Sequence, residues 1–335
     1  LIPISPRSEG EAVSCVMVWQ ERMLTGEREL EDGLVERGSW ARGKRIGVGS
    51  SAYAYANAYV LWLGIEALDF AAKLVPRSVH EANSSQLERE IGAMRRLKHA
   101  NVVRYMGTAT CGSGQYILME LLAGGSIRQM LSEPPYTRGL PLERLRLYTV
   151  QLLEGLHFLH AAMVIHRDLK GENVLLDGPR MTVKIADFGS SHIVQGTRTL
   201  TGEVSSMRGS PYWMSPEHIQ GVGCGRKADV WSFGCVLLEM LTGKPPWHSE
   251  EVPKGQVCST QWTDPISFPL LFAVFALLNT IVSSDGPPPM PAADSMPPPL
   301  HSLLSLCFQR DTSIRPTTSE LKQHPWIVES TSVSK

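Results

Sequence analysis

The chain lacks a large excess of charge of either sign and a long apolar run. Its 32 basic and 33 acidic residues give a net charge of −1, so no long-range field draws it to nucleic acid or to an anionic membrane. The nearly apolar stretch 268–282 is shorter than the roughly 20 residues that a spanning helix needs, and it contains Pro269 and Asn279. We therefore expect no nucleic-acid partner and no membrane span, and interpret 268–282 as a buried helix.

Closely spaced cysteines are also missing. The 6 cysteines are scattered along the chain, and none forms a Cys-x-x-Cys pair. The opening residues do not carry the pattern of a secretory signal. Scattered cysteines in a long chain of this kind are typical of reduced thiols inside the cell. We therefore expect free thiols and a cytoplasmic location.

Apolar spacing divides the chain into a strand-rich part and a helical part. Residues 1–38 are polar and carry no clear motif, so we expect a poorly ordered lead-in. Short apolar runs then indicate strands up to residue 119, interrupted by a helix in which Leu87, Ile91 and Met94 repeat at helical spacing. Glycines at 124–125 mark the change to long helical patterns, such as the apolar face of 145–159. The sequence thus predicts a small strand-rich lobe followed by a larger helical one.

The segment 166–173 concentrates polar chemistry in one loop, where the sequence reads His-Arg-Asp-Leu-Lys-Gly-Glu-Asn. A carboxylate such as Asp168 can accept a proton from a hydroxyl nucleophile. Lys170 can neutralise charge on a phosphoryl group, and the amide oxygen of Asn173 suits Mg²⁺. Asp187 lies 14 residues after Asn173, at the end of the next predicted strand, and offers a second oxygen ligand. Together these residues offer a base, a cation and two oxygen ligands suited to Mg²⁺.

These two motifs resemble the catalytic and metal-binding loops of eukaryotic protein kinases, and the resemblance extends from about residue 40 to 326. It implies an α+β bilobal fold, with a small antiparallel-sheet N-lobe that contains one helix and a larger, mainly helical C-lobe. We place the kinase domain at 39–328 (N-lobe 39–119, hinge 120–126, C-lobe 127–328), followed by a tail at 329–335. The implied cofactors are ATP and Mg²⁺, with the metal held by Asn173 and Asp187.

The resemblance also assigns roles in catalysis and nucleotide binding. Asp168 and Lys170 are the expected catalytic residues, while Lys73 would position the phosphates with Glu90 as its ion-pair partner. The residues expected to contact the nucleotide are Ile46, Gly47, Val48, Gly49, Ala54, Ala71, Lys73, Met119, Glu120, Leu122 and Leu175. Within this set the resemblance makes Met119 the gatekeeper and gives adenine hydrogen bonds to the backbone at 120 and 122.

Three further residues are implied to support the active site. Asp229 resembles the helix residue that braces the catalytic loop, and Arg315 resembles the late arginine that pairs with Glu217. Ser210 resembles the residue that contacts Asp168 in kinases specific for serine and threonine. We therefore expect protein serine or threonine hydroxyls as the acceptors.

The run 209–217 is similar to the STE group of kinases, and within it to MAP kinase kinase kinases. This resemblance implies a MAP kinase kinase as the substrate, and activation by an upstream kinase or by autophosphorylation. Ser206 is the first candidate for an activating phosphosite, because it lies four residues before Ser210, where the resemblance implies such a site. Phosphate there would pair with Arg167.

Two features depart from the family pattern. Ala52 replaces the third glycine of the glycine-rich loop, and Ala54 replaces the valine that covers the base. Residues 251–269 look like an insertion, or like a stretch read through from non-coding sequence. The alternative function is therefore a pseudokinase that serves as a scaffold or binds nucleotide without transfer. A small-molecule kinase is disfavoured, because 209–217 resembles a platform for peptide substrates.

Overall fold

The computed structural model describes residues 12–19, 23–25, 28–30, 35–48, 57–63, 70–76, 88, 91–92, 94–111, 114–187, 192–193, 210–223, 225–248 and 268–328. The chain divides into two compact units, one of Leu1–Arg96 with Arg104–Leu121 and one of Leu97–Val103 with Leu122–Lys335. The later change of unit, between Leu121 and Leu122, falls inside the segment 120–126 that the sequence predicted as a hinge.

The first unit is built on an antiparallel barrel. Its strands are β1 (Ala12–Trp19), β4 (Val35–Val48), β5 (Asn57–Leu63), β6 (Phe70–Pro76), β7 (Tyr105–Cys111) and β8 (Gly114–Glu120). They close in the order β1-β4-β5-β6-β8-β7, while β2 (Met23–Thr25) and β3 (Arg28–Leu30) form a separate hairpin. Ala72 and Leu118 lie opposite each other on β6 and β8 and are fully buried. In the predicted helix, Ile91 and Met94 are helical and buried.

Within 1–38, where the sequence led us to expect a poorly ordered lead-in, the residues that the structure describes (12–19, 23–25, 28–30 and 35–38) form strands. β1 pairs with β4 from Ala12 opposite Ala41 to Val18 opposite Val35, and its second half pairs with β7. β1 reads Ala-Val-Ser-Cys-Val-Met-Val-Trp, and valine and tryptophan favour strands. The polar average of the whole segment concealed this short apolar run. β1 joins the two ends of the sheet and so closes the barrel.

The second unit is mainly helical. Its helices are α1 (Ile127–Ser132), α2 (Leu142–Ala161), α3 (Pro216–Ile219), α4 (Arg226–Thr242), α5 (Phe268–Ser283), α6 (Pro298–Cys307), α7 (Thr318–Leu321) and α8 (Pro325–Val328). Its strands are β9 (Val164–Ile165), β10 (Val174–Leu176), β11 (Val183–Ile185) and β12 (His192–Ile193), paired as β10–β11 and β9–β12. An antiparallel-sheet unit together with a mainly helical unit confirms the predicted α+β class.

Helices α2 and α4 form the centre of the second unit. The predicted apolar face of α2 is fully buried at Leu145, Tyr148, Leu152, Leu156 and Leu159. α4 packs against both α2 and α6, and each of its residues from 228 to 240 is buried. A helix buried on all sides packs its few polar side chains inside the protein, where they need hydrogen-bond partners.

The helix predicted at 268–282 is present as α5. Leu277, Leu278 and Ile281 are buried, whereas the side chain of Phe275 is 57% exposed. No helix in the described part of the chain has the length and apolar character needed to cross a membrane. The predicted insertion at 251–269 lies outside the described residues except for Phe268 and Pro269, which begin α5.

Candidate active site

The β10–β11 hairpin brings Asn173 and Asp187 to the same place. Val174 lies opposite Ile185 at the open end of the hairpin, and just beyond it the N–H of Ala186 donates to the carbonyl of Asn173 at 2.8 Å. Asp187 follows directly, with a φ of 63°, a left-handed conformation that residues other than glycine rarely adopt. The hairpin thus delivers an amide and a carboxylate to one end, as a shared metal site requires.

The amide of Asn173 is oriented by Asp168. Its nitrogen donates to the carbonyl oxygen of Asp168 at 2.7 Å and to Oδ2 of the same residue at 3.2 Å. With the nitrogen engaged, Oδ1 is the atom that remains for a cation. An amide oxygen and a carboxylate are the hard ligands that Mg²⁺ accepts alongside phosphate oxygens, so these residues fit the metal that the sequence predicted.

Asp168 lies at the centre of a polar network. Its Oδ1 accepts the N–H of Ser210 at 2.9 Å, and its Oδ2 lies 3.0 Å from Nζ of Lys170. The same Nζ donates to Oγ of Ser210 at 2.6 Å. Both carboxylate oxygens are therefore held in place, and the predicted contact between Ser210 and Asp168 is present. A carboxylate fixed in this way can orient a hydroxyl group and accept its proton.

The charge on Lys170 is stabilised although its side chain is buried. Burial alone would lower the pKa of its ammonium group, but the carboxylates of Asp168 and Glu172 outweigh burial and raise the pKa above its usual value. Lys170 is consequently a cation at neutral pH, next to the proposed base. A cation there can neutralise negative charge on a transferring phosphoryl group.

Asp229 holds the first half of the loop 166–173, called the catalytic loop from here on, as predicted. It is fully buried on α4, and its oxygens accept the N–H groups of His166 and Arg167, both at 2.9 Å. Its Oδ2 also lies 2.8 Å from Nε2 of His160. Burial by itself would raise the pKa of Asp229, but the His160 hydrogen bond and neighbouring charges lower it. The two backbone hydrogen bonds also support the left-handed Arg167, whose φ is 68°.

The predicted pair of Glu217 and Arg315 is also present. Nη1 and Nη2 of Arg315 donate to the two carboxylate oxygens of Glu217 at 2.6 and 3.1 Å. Arg315 is fully buried, and it donates further to the carbonyl oxygens of Gln309 at 2.7 Å and Lys227 at 2.8 Å. The guanidinium therefore ties α3 to the start of α4 and to the loop after α6.

In the first unit, those predicted nucleotide-contacting residues that the structure describes lie on three barrel strands, β4, β6 and β8. Lys73 is half-buried on β6, opposite Ile117 of β8, and two positions earlier on β6 Ala71 lies opposite Met119. On β4, Gly47 and Val48 pair with β5, and Ile46 precedes them. The barrel therefore places Lys73 two residues from Ala71 on a strand paired on both sides.

The backbone N–H of Glu120 is engaged inside the first unit. Its N–H donates to the carbonyl of Arg104 at 3.0 Å, and its Oε1 accepts the N–H of Arg104 at 2.7 Å. The N–H of Glu120 is thus engaged within the first unit, so its predicted contact with adenine is proposed for the carbonyl oxygen. In the second unit, Leu122 and Leu175 are both half-buried, and Leu175 pairs with Ser126.

Several predicted residues lie outside the described part of the chain. They are Gly49, Ala52, Ala54, Glu90 and Ser206. The ion pair of Lys73 with Glu90, the effect of the two alanines and the phosphosite therefore stay predictions. The motif analysis also missed a residue that the structure brings to the site, since His160 on α2 contacts Asp229.

Comparisons with known proteins agree with this site. The family described as Protein kinase domain matches residues 40–327. The chain is 34% identical over 294 residues to "Mitogen-activated protein kinase kinase kinase ANP1" of Arabidopsis thaliana, which covers 87% of this chain and 40% of the relative. It is 37% identical over 241 residues to "Mitogen-activated protein kinase kinase kinase A" of Dictyostelium discoideum, an alignment that covers 72% of this chain and 22% of the relative. It is 41% identical over 218 residues to "Mitogen-activated protein kinase kinase kinase 3" of Mus musculus, an alignment that covers 64% of this chain and 34% of the relative. The chain thus spans two fifths or less of the length of these relatives.

Proposed function

Because this chain belongs to the protein kinase family, we propose that it transfers the γ-phosphate of ATP to serine or threonine hydroxyls of a protein substrate. The observation that carries the proposal is the network at Asp168, in which Ser210 holds one carboxylate oxygen and Lys170 faces the other. A base held next to a charged lysine suits an in-line transfer to a hydroxyl. Lys170 and Ser210 support serine and threonine as the acceptors.

In the proposed reaction, the substrate hydroxyl donates its proton to Asp168 while its oxygen bonds to the γ-phosphorus. The bond from that phosphorus to the β–γ bridging oxygen breaks, and ADP leaves. Lys170 stays protonated and neutralises charge on the transferring group. Asn173 and Asp187 would hold Mg²⁺, which supplies charge neutralisation on the phosphates when bound. Lys73, with Glu90, would position those phosphates.

The finer proposal is that the substrate is a MAP kinase kinase. The relatives quoted above are named as MAP kinase kinase kinases, and they match most of this chain. We also propose a cytoplasmic location, which is supported by the free, buried thiols of Cys235 and Cys307.

The proposed transfer should depend on magnesium. With ATP labelled at the γ-phosphate, we expect label in a generic protein substrate and in a MAP kinase kinase when Mg²⁺ is present, and none when EDTA removes it. Phosphoamino acid analysis should find label on serine or threonine and not on tyrosine. A folded chain that binds ATP and transfers no label to any protein would instead favour the pseudokinase reading.

The proposed phosphosite at Ser206 is supported by the state of Arg167. The Nε atom of Arg167 is buried and has no hydrogen-bond partner in the described part of the chain. A buried guanidinium nitrogen without an acceptor is costly, and a phosphate on Ser206 would supply that acceptor if it pairs with Arg167 as the resemblance implies.

We expect Ser206→Ala to lower kcat about tenfold or more, by the loss of charge-assisted hydrogen bonds. Ser205→Ala is the matched control, because it removes the adjacent hydroxyl, and it should leave kcat unchanged. Adding Arg167→Ala to the Ser206→Ala variant should lower kcat no further. Equal losses for the two serine variants, or no phosphate at Ser206 by mass spectrometry, would reject the site.

A further inference from the structure

A second acidic residue of α4 reaches the catalytic loop. Glu239 lies ten residues after Asp229 and is fully buried. Its Oε2 accepts the N–H of Gly171 at 3.2 Å and the indole N–H of Trp213 at 3.1 Å. Asp229 holds the N–H groups of His166 and Arg167, at the other end of the same loop. The two carboxylates therefore hold the loop on either side of Asp168 and Lys170.

The burial of Glu239 disfavours the charged form of its carboxyl group. Burial raises the pKa of its carboxyl group to about 7, although Arg128 and the hydrogen bonds from Trp213 and Gly171 oppose this rise and Glu172 adds to it. Its Oε1 faces Nη1 of Arg128 at 3.6 Å and makes no hydrogen bond to any residue that the structure describes. A buried carboxylate with incomplete pairing lowers stability, which points to a role outside stability for the contacts of Glu239.

Those contacts join the catalytic loop to the segment that contains Ser210. On one side, Nζ of Lys170 donates to Oγ of Ser210. On the other side, Glu239 holds both Gly171, the residue after Lys170, and Trp213, three residues after Ser210. A second residue of α4 fixes the same segment, because Oγ of Ser232 donates to the carbonyl of Trp213 at 2.8 Å. The distance between the two segments is therefore set from α4.

We propose that Glu239 is a positioning residue for phosphoryl transfer, which holds Gly171 and Trp213 at the separation that lets Lys170 reach Ser210. The proposal rests on the proposed kinase function. It assigns Glu239 no contact with substrate or nucleotide. Its effect passes through Gly171 to the neighbouring Lys170.

The fit at Gly171 supports this role. A Cβ atom built on Gly171 would lie 2.6 Å from Oε2 of Glu239, far inside van der Waals contact. Position 171 thus needs the small residue in order to donate its N–H to the carboxylate. It follows that the loss of kcat caused by Gly171→Ala should depend on whether Glu239 is present.

Amide hydrogen exchange tests the contact without relying on activity. In Glu239→Ala we expect the amide of Gly171 to exchange about tenfold faster or more, because its buried acceptor is lost. The amides of His166 and Arg167 should keep their rates, since Asp229 still holds them. Met240→Ala is the matched control: it removes a buried side chain from α4 and should leave all three rates in place. Unchanged exchange at Gly171, or equal acceleration at all three amides, would overturn the proposal.

Kinetics test the consequence for transfer. We expect Glu239→Ala to lower kcat about tenfold with the KM for ATP unchanged, and Glu239→Gln, which keeps an acceptor oxygen, to restore most of kcat. Gly171→Ala should lower kcat in the wild-type background and have no further effect in the Glu239→Ala background. Additive losses, or an unchanged kcat in Glu239→Ala, would overturn the positioning role. An inactive wild-type chain would contradict the proposed function alone, and the exchange rates would still decide whether Glu239 holds Gly171.

Discussion

Replacing Asp168 with asparagine is expected to lower kcat by about 10²- to 10⁴-fold, the range for loss of a general base. The asparagine side chain has the same shape but cannot accept the proton of a substrate hydroxyl. It also places an amide group where Oδ2 now faces Nζ of Lys170 and accepts from Asn173. The charge of Lys170 would lose its nearest partner. Phosphate incorporation from labelled ATP, at saturating substrate, measures the effect.

Asp294→Asn is the control for this variant. Asp294 is exposed on the surface, so the change alters net charge by the same amount away from the site. We expect its kcat to equal that of the wild type, and both variants to melt close to the wild-type temperature. Transfer that persists in Asp168→Asn would mean that another group accepts the proton, and the assignment of Asp168 as the base would be wrong.

Replacing Arg315 with methionine is expected to cost about 3–5 kcal/mol of unfolding free energy, as is typical when one partner of a buried ion pair is removed. The change leaves the carboxylate of Glu217 without its partner. It also leaves the carbonyl oxygens of Gln309 and Lys227 without the guanidinium that now donates to them. Urea unfolding, followed by fluorescence and by circular dichroism, measures the loss.

The matched control is Lys322→Met, which breaks the ion pair with Glu154. That pair is as short, at 2.7 Å, but its two side chains are 29% and 37% exposed. Exposed pairs contribute about 0–1 kcal/mol, so we expect only a small shift of the urea midpoint. Similar losses in the two variants would show that burial does not distinguish these pairs. Our account of Arg315 would then be wrong.

The residues around the catalytic loop could be predicted because they lie close together in the sequence, in short motifs. Asp168, Lys170 and Asn173 lie within six residues, and Asp187 follows at the end of the adjacent strand. The pairing of Glu217 with Arg315, 98 residues apart, was available only from the family resemblance. No spacing rule connects two positions that far apart in the chain.

Other features could not be predicted, for reasons that are also physical. β1 is a short apolar run inside a polar segment, and its partners in β4 and β7 are set by long-range pairing. The engaged N–H of Glu120 depends on the same kind of pairing, with Arg104. Glu239 interrupts an apolar helix, and a sequence does not tell a buried acid from one that faces solvent. Its contacts with Gly171 and Trp213 exist only once α4 lies beneath the loop.

The hairpin that holds Asn173 and Asp187 has a consequence for the order in which the site assembles. Asn173 and Asp187 are joined by 14 residues of chain, whereas the contact of Glu217 with Arg315 closes a loop of 98 residues. Because the entropic cost of loop closure grows with the logarithm of loop length, the longer closure costs about 1.7 kcal/mol more. The proposed metal-binding end of the site is thus a local structure that can form with its own hairpin. The contact of Glu217 with Arg315, by contrast, can form only after most of the second unit has folded.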